Sequence, residues 1–439
     1  MVKFDIIILG FGQGGKVFAK EMASTGKKIA VIEKNKLYGG TCINIGCIPS
    51  KVLAHDSIEG LPFEYAINRK HEVVQALNKK NFNNLDTEEN ITIFDNKAEF
   101  KSNKEVNLLN EDNEIVDTLV GDKIIINTGA SPIIPDIKGI DSNSHIVDST
   151  GLMSLEKRPN HLVIIGGGYI SLEFASIFSS FGSKVTIIEK HNSIMPKEDN
   201  EVVEHILNDL RNKGIEFIFN AKISEIDTNE KTSIVKTSIK DVEGDTILVA
   251  VGRKPNTDLA LENTDISLGD YNEIKVNEYL ETTAKDVYAI GDVKGGMQFT
   301  YISKNDRFIL KDTLYGEKQR TTLNRDIIPY TVFIDPPLSR VGLTAKQANS
   351  KGYEILEKSL PVSNIPRHKI NNDSRGLFKV VIDKKDSSVL GASLYGEKSE
   401  EIINIIKLAI DYKIPYQVLK TNLYTHPTMS ESFNDLFSF

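Results

Sequence analysis

Two glycine-rich segments recur in one register. Gly10-Phe11-Gly12-Gln13-Gly14-Gly15 follows an apolar run at residues 4–9, and Gly166-Gly167-Gly168-Tyr169-Ile170-Ser171 follows another at 162–165, displaced by 156 positions. The match extends beyond the turns: Ala19 pairs with Ala175, Gly26 with Gly182, Lys28 with Lys184, and Glu33-Lys34 with Glu189-Lys190. Each unit reads as a buried strand, a glycine turn, a helix (16–24 in the first copy) and a second strand (28–32 and 184–188) ending at an acid. Glycines Gly10, Gly12, Gly14 and Gly15 permit a tight turn and close backbone approach. The helix start suits a pyrophosphate, and Glu33 or Glu189 can accept from a ribose hydroxyl. The second copy, with Gly166 and Gly168, departs from the ideal at Ser171, which is still small. The pattern predicts an α/β protein that binds two dinucleotides.

The length, 439 residues, suits two to four domains. Basic residues (53) are fewer than acidic ones (61), giving a net charge of −8, so nucleic acid is not an expected partner. The apolar run at 6–9 is too short to span a bilayer and follows no leader-like segment, so a cytoplasmic protein without membrane contact is expected. Between the two copies, residues 54–120 show a polar helical stretch near 72–81 and short strands, with no identified motif. Strands at 246–251 and 287–290 return the chain to the nucleotide-binding layers. From about residue 327 the texture changes to strands at 330–334, 378–382 and 389–394 and a helix at 397–412. Ile402, Ile403, Ile406, Ala409 and Ile410 give that helix a broad apolar face, so an α+β unit is expected.

The chain has two cysteines, Cys42 and Cys47. A secreted disulfide framework normally uses more and spreads them further, so this pair points to chemistry, with two structural thiols as the alternative. On a regular helix residues five apart have Cα atoms roughly 8.7 Å apart, beyond the about 6.8 Å limit for a disulfide. A bond between them requires a distorted turn, which Gly46 and Pro49 permit. Near the C-terminus, His426 and Glu431 can form an acid–base dyad. The competing reading of Thr428-Met429-Ser430-Glu431 is a capping box.

These residues resemble the class I flavoprotein disulfide reductases, which include glutathione reductase, dihydrolipoamide dehydrogenase and mercuric reductase. The resemblance runs through Gly39-Gly40-Thr41-Cys42, Cys47-Ile48-Pro49-Ser50-Lys51, Thr128-Gly129-Ala130, Tyr169 with Glu173, Gly252-Arg253, Gly291-Asp292 and residues 426–431. It implies an FAD-binding domain at 1–148 and 254–326, an NAD(P)-binding domain at 149–253, and a C-terminal dimerisation domain at 327–439 that makes an obligate homodimer. It implies FAD held by Gly10, Gly12, Gly14, Gly15, Glu33, Lys34, Thr41, Lys51, Thr128, Gly129, Gly291 and Asp292. NADH or NADPH is implied at Gly166, Gly168, Tyr169, Ile170, Glu173, Glu189 and Gly252. By the same resemblance Cys47 is the flavin-side sulfur and Cys42 the sulfur that meets substrate. Lys51 pairs with Glu173 where hydride arrives, Tyr169 covers the nicotinamide site, and His426, oriented by Glu431, serves the other subunit. Burial of an unpaired Lys51 is costly, so an acid partner is expected independently. The alternatives are a solvated Glu173 and a merely packed Tyr169. No metal-binding residue set is expected.

No third cysteine is present to relay electrons, so substrate must reach Cys42 directly. The C-terminal cysteine pair of mercuric reductases is absent, and His426 stands where they carry tyrosine. The sequence is similar to a mercuric-reductase-like subgroup that includes reactive chlorine resistance flavoproteins and hypothiocyanous acid reductases, through 39–51, 291–303, 365–368 and 425–439. That similarity implies reduction of a small oxidant, hypothiocyanous acid, to thiocyanate. The alternatives are a reductase of a low-molecular-weight disulfide or metal ion, a dihydrolipoamide dehydrogenase, and a non-enzymatic FAD-binding redox sensor. Glu189 favours NADH because it repels a 2′-phosphate, although Lys190 and His191 oppose that preference.

Overall fold

The computed structural model describes residues 2–141 and 145–439. The first apolar run forms Val2–Leu9, which lies parallel between Ile29–Ile32 and Ile115–Ile126, with Ile6 beside Ile29 on one side and Lys123 on the other. The sheet has seven strands. Ile91–Phe94 extends it beyond Ile29–Ile32, Val287–Ala289 adds a parallel strand to Ile115–Ile126, and Glu105–Leu109 and Lys97–Phe100 continue it antiparallel. Both faces of the first strand are covered, which explains its unbroken apolar run. Ile6 and Ile8 pack under the fingerprint helix with Phe18 and Met22, while Phe4, Ile7 and Leu9 pack on the opposite face.

The second unit repeats the plan. Glu216–Ile218, Lys184–Ile188, His161–Ile165, Thr246–Val249 and Ile146–Val147 form a parallel sheet. The fingerprint helices begin at Gln13 and Tyr169, directly after Gly12 and Gly168. In the first copy this is earlier than the expected residue 16, because Gly14 and Gly15 belong to the helix. Their burial against the strand brings the helix start to the carboxyl ends of the strands, where a doubly wound sheet binds ligands.

The polar stretch at 72–81 is the middle of a 24-residue helix, Phe63–Asp86. Phe63, Ala66, Ile67 and Leu85 anchor its ends in the core, which leaves the middle to polar contacts. The C-terminal unit is a five-stranded antiparallel sheet in the order Tyr330–Val332, Leu338–Gly342, Val389–Tyr395, Leu377–Asp383, Ile355–Pro361. Ser399–Asp411 packs on it through Ile402, Ile403, Ile406 and Ala409. That helix starts two residues later than expected because Lys398 takes a left-handed conformation, φ 62°. Among the described residues no helix is long and apolar enough to cross a membrane.

Candidate active site

Gly39 and Gly40, at φ 102° and 68°, turn the chain into the short helix Gly40–Asn44 that carries Cys42. A Cβ on Gly40 would lie 2.9 Å from Gly12 Cα, so glycine lets the cysteine segment rest on the first fingerprint. Asn44 accepts from Asn78 Nδ2 at 2.7 Å, which ties this helix to the long polar one. The helix breaks at Ile45 and Gly46, and Cys47 opens the next, Cys47–Ile58. The distorted turn expected between the cysteines is therefore present.

Both cysteines are thiols. The Cys42 thiol donates to Cys47, which lowers the Cys47 pKa to about 6 against the opposing effect of burial. Thr300, 3.5 Å from Cys47 Sγ, and the Lys51 charge lower it further. The same hydrogen bond, with burial, pushes Cys42 up. The pair thus divides its roles: at neutral pH Cys47 is the thiolate and Cys42 keeps the proton.

One turn beyond Cys47, Lys51 Nζ meets Glu173 Oε2 at 2.7 Å and lies 4.7 Å from the centre of the Phe333 ring. The other Glu173 oxygen accepts from Phe333 N at 2.9 Å. Glu173 is not a solvated helix carboxylate, since its side chain is 9% exposed. Tyr169, by contrast, is 41% exposed and stands in the cleft instead of packing in the core. Its phenol is held above the ordinary range by desolvation.

These groups share one cleft of about 1630 Å³. From the first unit it is lined by Gly10, Gly12, Glu33, Lys34, Thr41, Cys42, Cys47 and Lys51, and from the strand ends by Thr128, Gly129 and Asp292. The second fingerprint contributes Gly168, Tyr169, Ile170 and Glu173. Gly166, Glu189 and Gly252 lie outside this lining. Gly14, Gly15 and Gly291 lie behind it and are committed to packing. The Gly14 amide donates to Ser303 Oγ at 3.2 Å, that of Gly15 to Asn127 Oδ1 at 3.0 Å and that of Gly291 to Asp306 Oδ2 at 2.8 Å.

The acids at the strand ends repeat one geometry. Glu33 accepts from the amides of Phe11 and Asn35, each at 3.1 Å, and Glu189 from those of Gly167 and His191, at 2.5 and 2.8 Å. Glu33, buried, titrates above the usual carboxylate range because burial opposes its charge. Asp292 is raised for the same reason and makes no side-chain hydrogen bond or ion pair among the described residues. An unpartnered carboxylate on a cleft larger than the about 300–1,000 Å³ of ordinary ligand sites fits the hydroxyl-rich chain of a dinucleotide such as FAD.

Several supporting residues were not singled out from sequence. Asn127 joins Gly15 to Ile290 O, the latter at 3.0 Å, and so locks the fingerprint helix to the strand leading to Asp292. Asp306 pairs with Arg325 and Lys294 beneath the same turn. Asn256 bonds Thr128 O at 2.8 Å. Asn127 directly precedes Thr128-Gly129, and Thr300 lies within 291–303, so each adjoined a segment read from sequence. Without tertiary contacts, nothing marked their side chains.

His426 Nδ1 lies 2.6 Å from Glu431 Oε2. Among the described residues no hydrogen bond joins the Glu431 carboxylate to the Thr428 amide, as a capping box would need, and the carboxylate meets the histidine instead. The structure does not bring this pair to the cysteines of its own chain: neither His426 nor Glu431 lines the cleft.

The profile of the pyridine nucleotide-disulphide oxidoreductase family matches residues 4–306, and that of its dimerisation domain matches 328–437. The chain is 45% identical over 440 residues to "Probable pyridine nucleotide-disulfide oxidoreductase RclA" of Escherichia coli strain K12, covering 100% of this chain and 99% of that protein. It is 30% identical over 451 residues to a mercuric reductase of Bacillus cereus, covering 98% of this chain and 70% of that protein. Among solved structures, the Cu(II) complex of the HOCl-induced flavoprotein disulfide reductase RclA from Escherichia coli superposes with a TM-score of 0.97 at 45% identity, covering 100% of this chain and 99% of that one.

Proposed function

The chain belongs to the pyridine nucleotide-disulphide oxidoreductase family and is a flavoprotein oxidoreductase that uses FAD and a pyridine nucleotide, and from that premise we propose that it reduces hypothiocyanous acid to thiocyanate. The observation that carries this reading is the cysteine pair. It is the chain's entire thiol inventory, one member is acidified by the other, and no further sulfur can relay electrons to a bulky or distant acceptor. Induction of the RclA relative by HOCl supports an oxidant substrate.

Bound along the cleft, FAD would carry two electrons from reduced nicotinamide to a Cys42–Cys47 disulfide. In our reading Gly10, Gly12, Glu33, Lys34, Thr41, Thr128, Gly129 and Asp292 hold it, while Gly14, Gly15 and Gly291 shape the backbone behind. Lys51, neutralised by Glu173, would serve the site where hydride arrives, and Tyr169 would give way to the nicotinamide. Gly166, Gly168, Ile170, Glu189 and Gly252 hold the pyridine nucleotide. Glu189 favours NADH by repelling a 2′-phosphate, which comparison of kcat/KM for NADH and NADPH tests.

His426 of the partner subunit, oriented by its own Glu431, removes the Cys42 proton. Cys42 then attacks the electrophilic sulfur of HOSCN, forming a Cys42–SCN bond, and the displaced oxygen leaves as water after receiving that proton. Cys47 attacks the Cys42 sulfur, the bond to SCN breaks, thiocyanate departs and the disulfide re-forms. The exclusion of His426 from its own chain's cleft supports a homodimer with shared sites, as do the exposed apolar side chains Leu408, Tyr412 and Leu423 in the region matching the dimerisation domain. The sheet connectivity supports a flavin domain, expected at 1–148 and 254–326, a nicotinamide domain, expected at 149–253, and a dimer domain at 327–439, except that Ile146–Val147 pairs with Thr246–Val249 and so moves the first boundary to before residue 146. A reducing cytoplasm is the compartment we assign to this thiol chemistry.

The test is steady-state oxidation of NADH and NADPH with a panel of HOSCN, low-molecular-weight disulfides, lipoamide, Hg(II) and Cu(II). HOSCN should give the highest kcat/KM. A larger value for any other acceptor moves the assignment to it, with Cu(II) the specific competitor because the RclA relative was solved as its copper complex.

A further inference from the structure

Thr300 Oγ1 stands 3.5 Å from Cys47 Sγ, and because Cys47 is the thiolate, the Thr300 hydroxyl is the donor. Its own backbone does little to fix it there. Thr300 is the first residue of the helix Thr300–Tyr315, whose start has no side-chain cap among the described residues. The chain reaches that start through Gly295 and Gly296, at φ 74° and 79°, so the approach is not stiffened by side chains either. The body of the helix is fastened further on, where Ser303 Oγ accepts from Gly14 N and Asp306 Oδ2 from Gly291 N. The first turn is held instead by three rings. Phe299 stacks on Tyr330, with ring centres 5.9 Å apart and planes at 15°, and on Tyr301, at 5.3 Å and 14°.

Tyr330 is anchored more firmly than packing requires. Its hydroxyl donates to Glu198 Oε1 and accepts from Arg340 Nη1 at 3.1 Å. Arg340 also meets Glu198 Oε2 at 3.2 Å, donates to Lys197 O at 2.8 Å and to Gln347 Oε1, and lies 5.9 Å from the centre of the Tyr330 ring. The Arg340 and Glu198 side chains are 7% and 8% exposed, and an ion pair so far removed from water repays its desolvation only when its hydrogen bonds are satisfied. Here they converge on one phenol. Tyr301 closes the other end of the stack by donating to Pro329 O, one residue before Tyr330. The ring of Tyr330 is thus oriented from the second nucleotide-binding unit and from the C-terminal sheet at once.

We propose that Tyr330 is a positioning residue for the redox sulfurs: held by Glu198 and Arg340, its ring seats Phe299 so that the adjoining Thr300 hydroxyl stays on Cys47. The inference concerns the thiolate beside the flavin and holds whichever oxidant the enzyme reduces. The other titratable groups that face Cys47 are Cys42, Lys51, Glu173, Tyr169 and Tyr301. Only Tyr301 belongs to the stack, and its phenol, raised by burial, carries no charge at neutral pH. The stack therefore acts on Cys47 through Thr300.

The test follows the thiolate-to-flavin absorbance of the two-electron-reduced holoenzyme against pH, with Tm measured in parallel. Thr300→Val should raise the midpoint by about 0.5–1 pH unit, a roughly three- to tenfold weaker acid. Tyr330→Leu should raise it by as much, and the double variant no further, because both substitutions remove the same hydrogen bond. Tyr330→Phe keeps the ring and should recover most of the shift. If Tyr330→Leu does not fold, Phe299→Leu makes the same test from the ring next to Thr300. A midpoint at the wild-type value in Tyr330→Leu or Phe299→Leu, whatever the change in Tm, overturns the proposal. So do additive shifts in the double variant, or a Tyr330→Phe midpoint displaced as far as that of Tyr330→Leu. The measurement uses no oxidant, so rejection of HOSCN as substrate and rejection of Tyr330 as the positioning residue are separate results.

Discussion

Lys51 Nζ lies 2.7 Å from Glu173 Oε2, an ion pair between the helix that begins at Cys47 and the helix that begins the second fingerprint. Phe333, from the C-terminal unit, completes it by donating its amide to the free carboxylate oxygen and placing its ring under the ammonium. Glu173→Gln keeps an acceptor for Phe333 but removes the counter-charge. Rapid mixing with NADH should then show flavin reduction slowed about tenfold or more, because Lys51 is left as a partly buried, uncompensated cation. An unchanged rate would assign the pair to packing alone.

The acidity of Cys47 comes first from the Cys42 thiol. In the two-electron-reduced holoenzyme the thiolate-to-flavin absorbance should fade as the pH drops through about 6. Cys47→Ser should abolish it. Cys42→Ala should move the midpoint up toward the ordinary thiol value, about 8.5. Thr300→Val should move it by less. Equal midpoints in wild type and Cys42→Ala would show that the hydrogen bond between the sulfurs does not set the pKa.

His426→Ala should slow the oxidant half-reaction by about 10² to 10⁴ while leaving flavin reduction nearly intact. Mixing inactive Cys42→Ser and His426→Ala chains, each with its own affinity tag, should restore activity. One site of each mixed dimer then carries both intact residues. Doubly tagged dimers as inactive as their parents would place His426 outside the reaction.

Asn127 holds Gly15 N and Ile290 O together at 3.0 Å each. Asn127→Leu leaves both buried groups unpaired, at an expected cost of about 2–4 kcal/mol. A lower Tm and faster loss of FAD on dilution should accompany it. Retention of both wild-type values would mean that the fingerprint helix is held by packing alone.

Most of the nucleotide-binding architecture was legible in the chain itself. A parallel strand covered on both faces must be continuously apolar, and a helix start that rests on a strand end must be glycine, so residues 4–15 and 162–171 declared their role without partners. The cysteines were legible for the same reason: they are the only two, they are five apart, and a glycine between them permits the break that brings the sulfurs together. The dyad was ambiguous, because His426 and Glu431 fit both a catalytic pair and a capping box, and only the folded chain shows the Glu431 carboxylate 2.6 Å from His426 Nδ1. The sequence could not show that Asn127, Thr300 and Asp306 support the cleft. Those contacts join segments up to hundreds of residues apart through single side chains. A side chain whose partner is chosen by packing, and not by its own backbone period, leaves no pattern along the chain until the fold has formed.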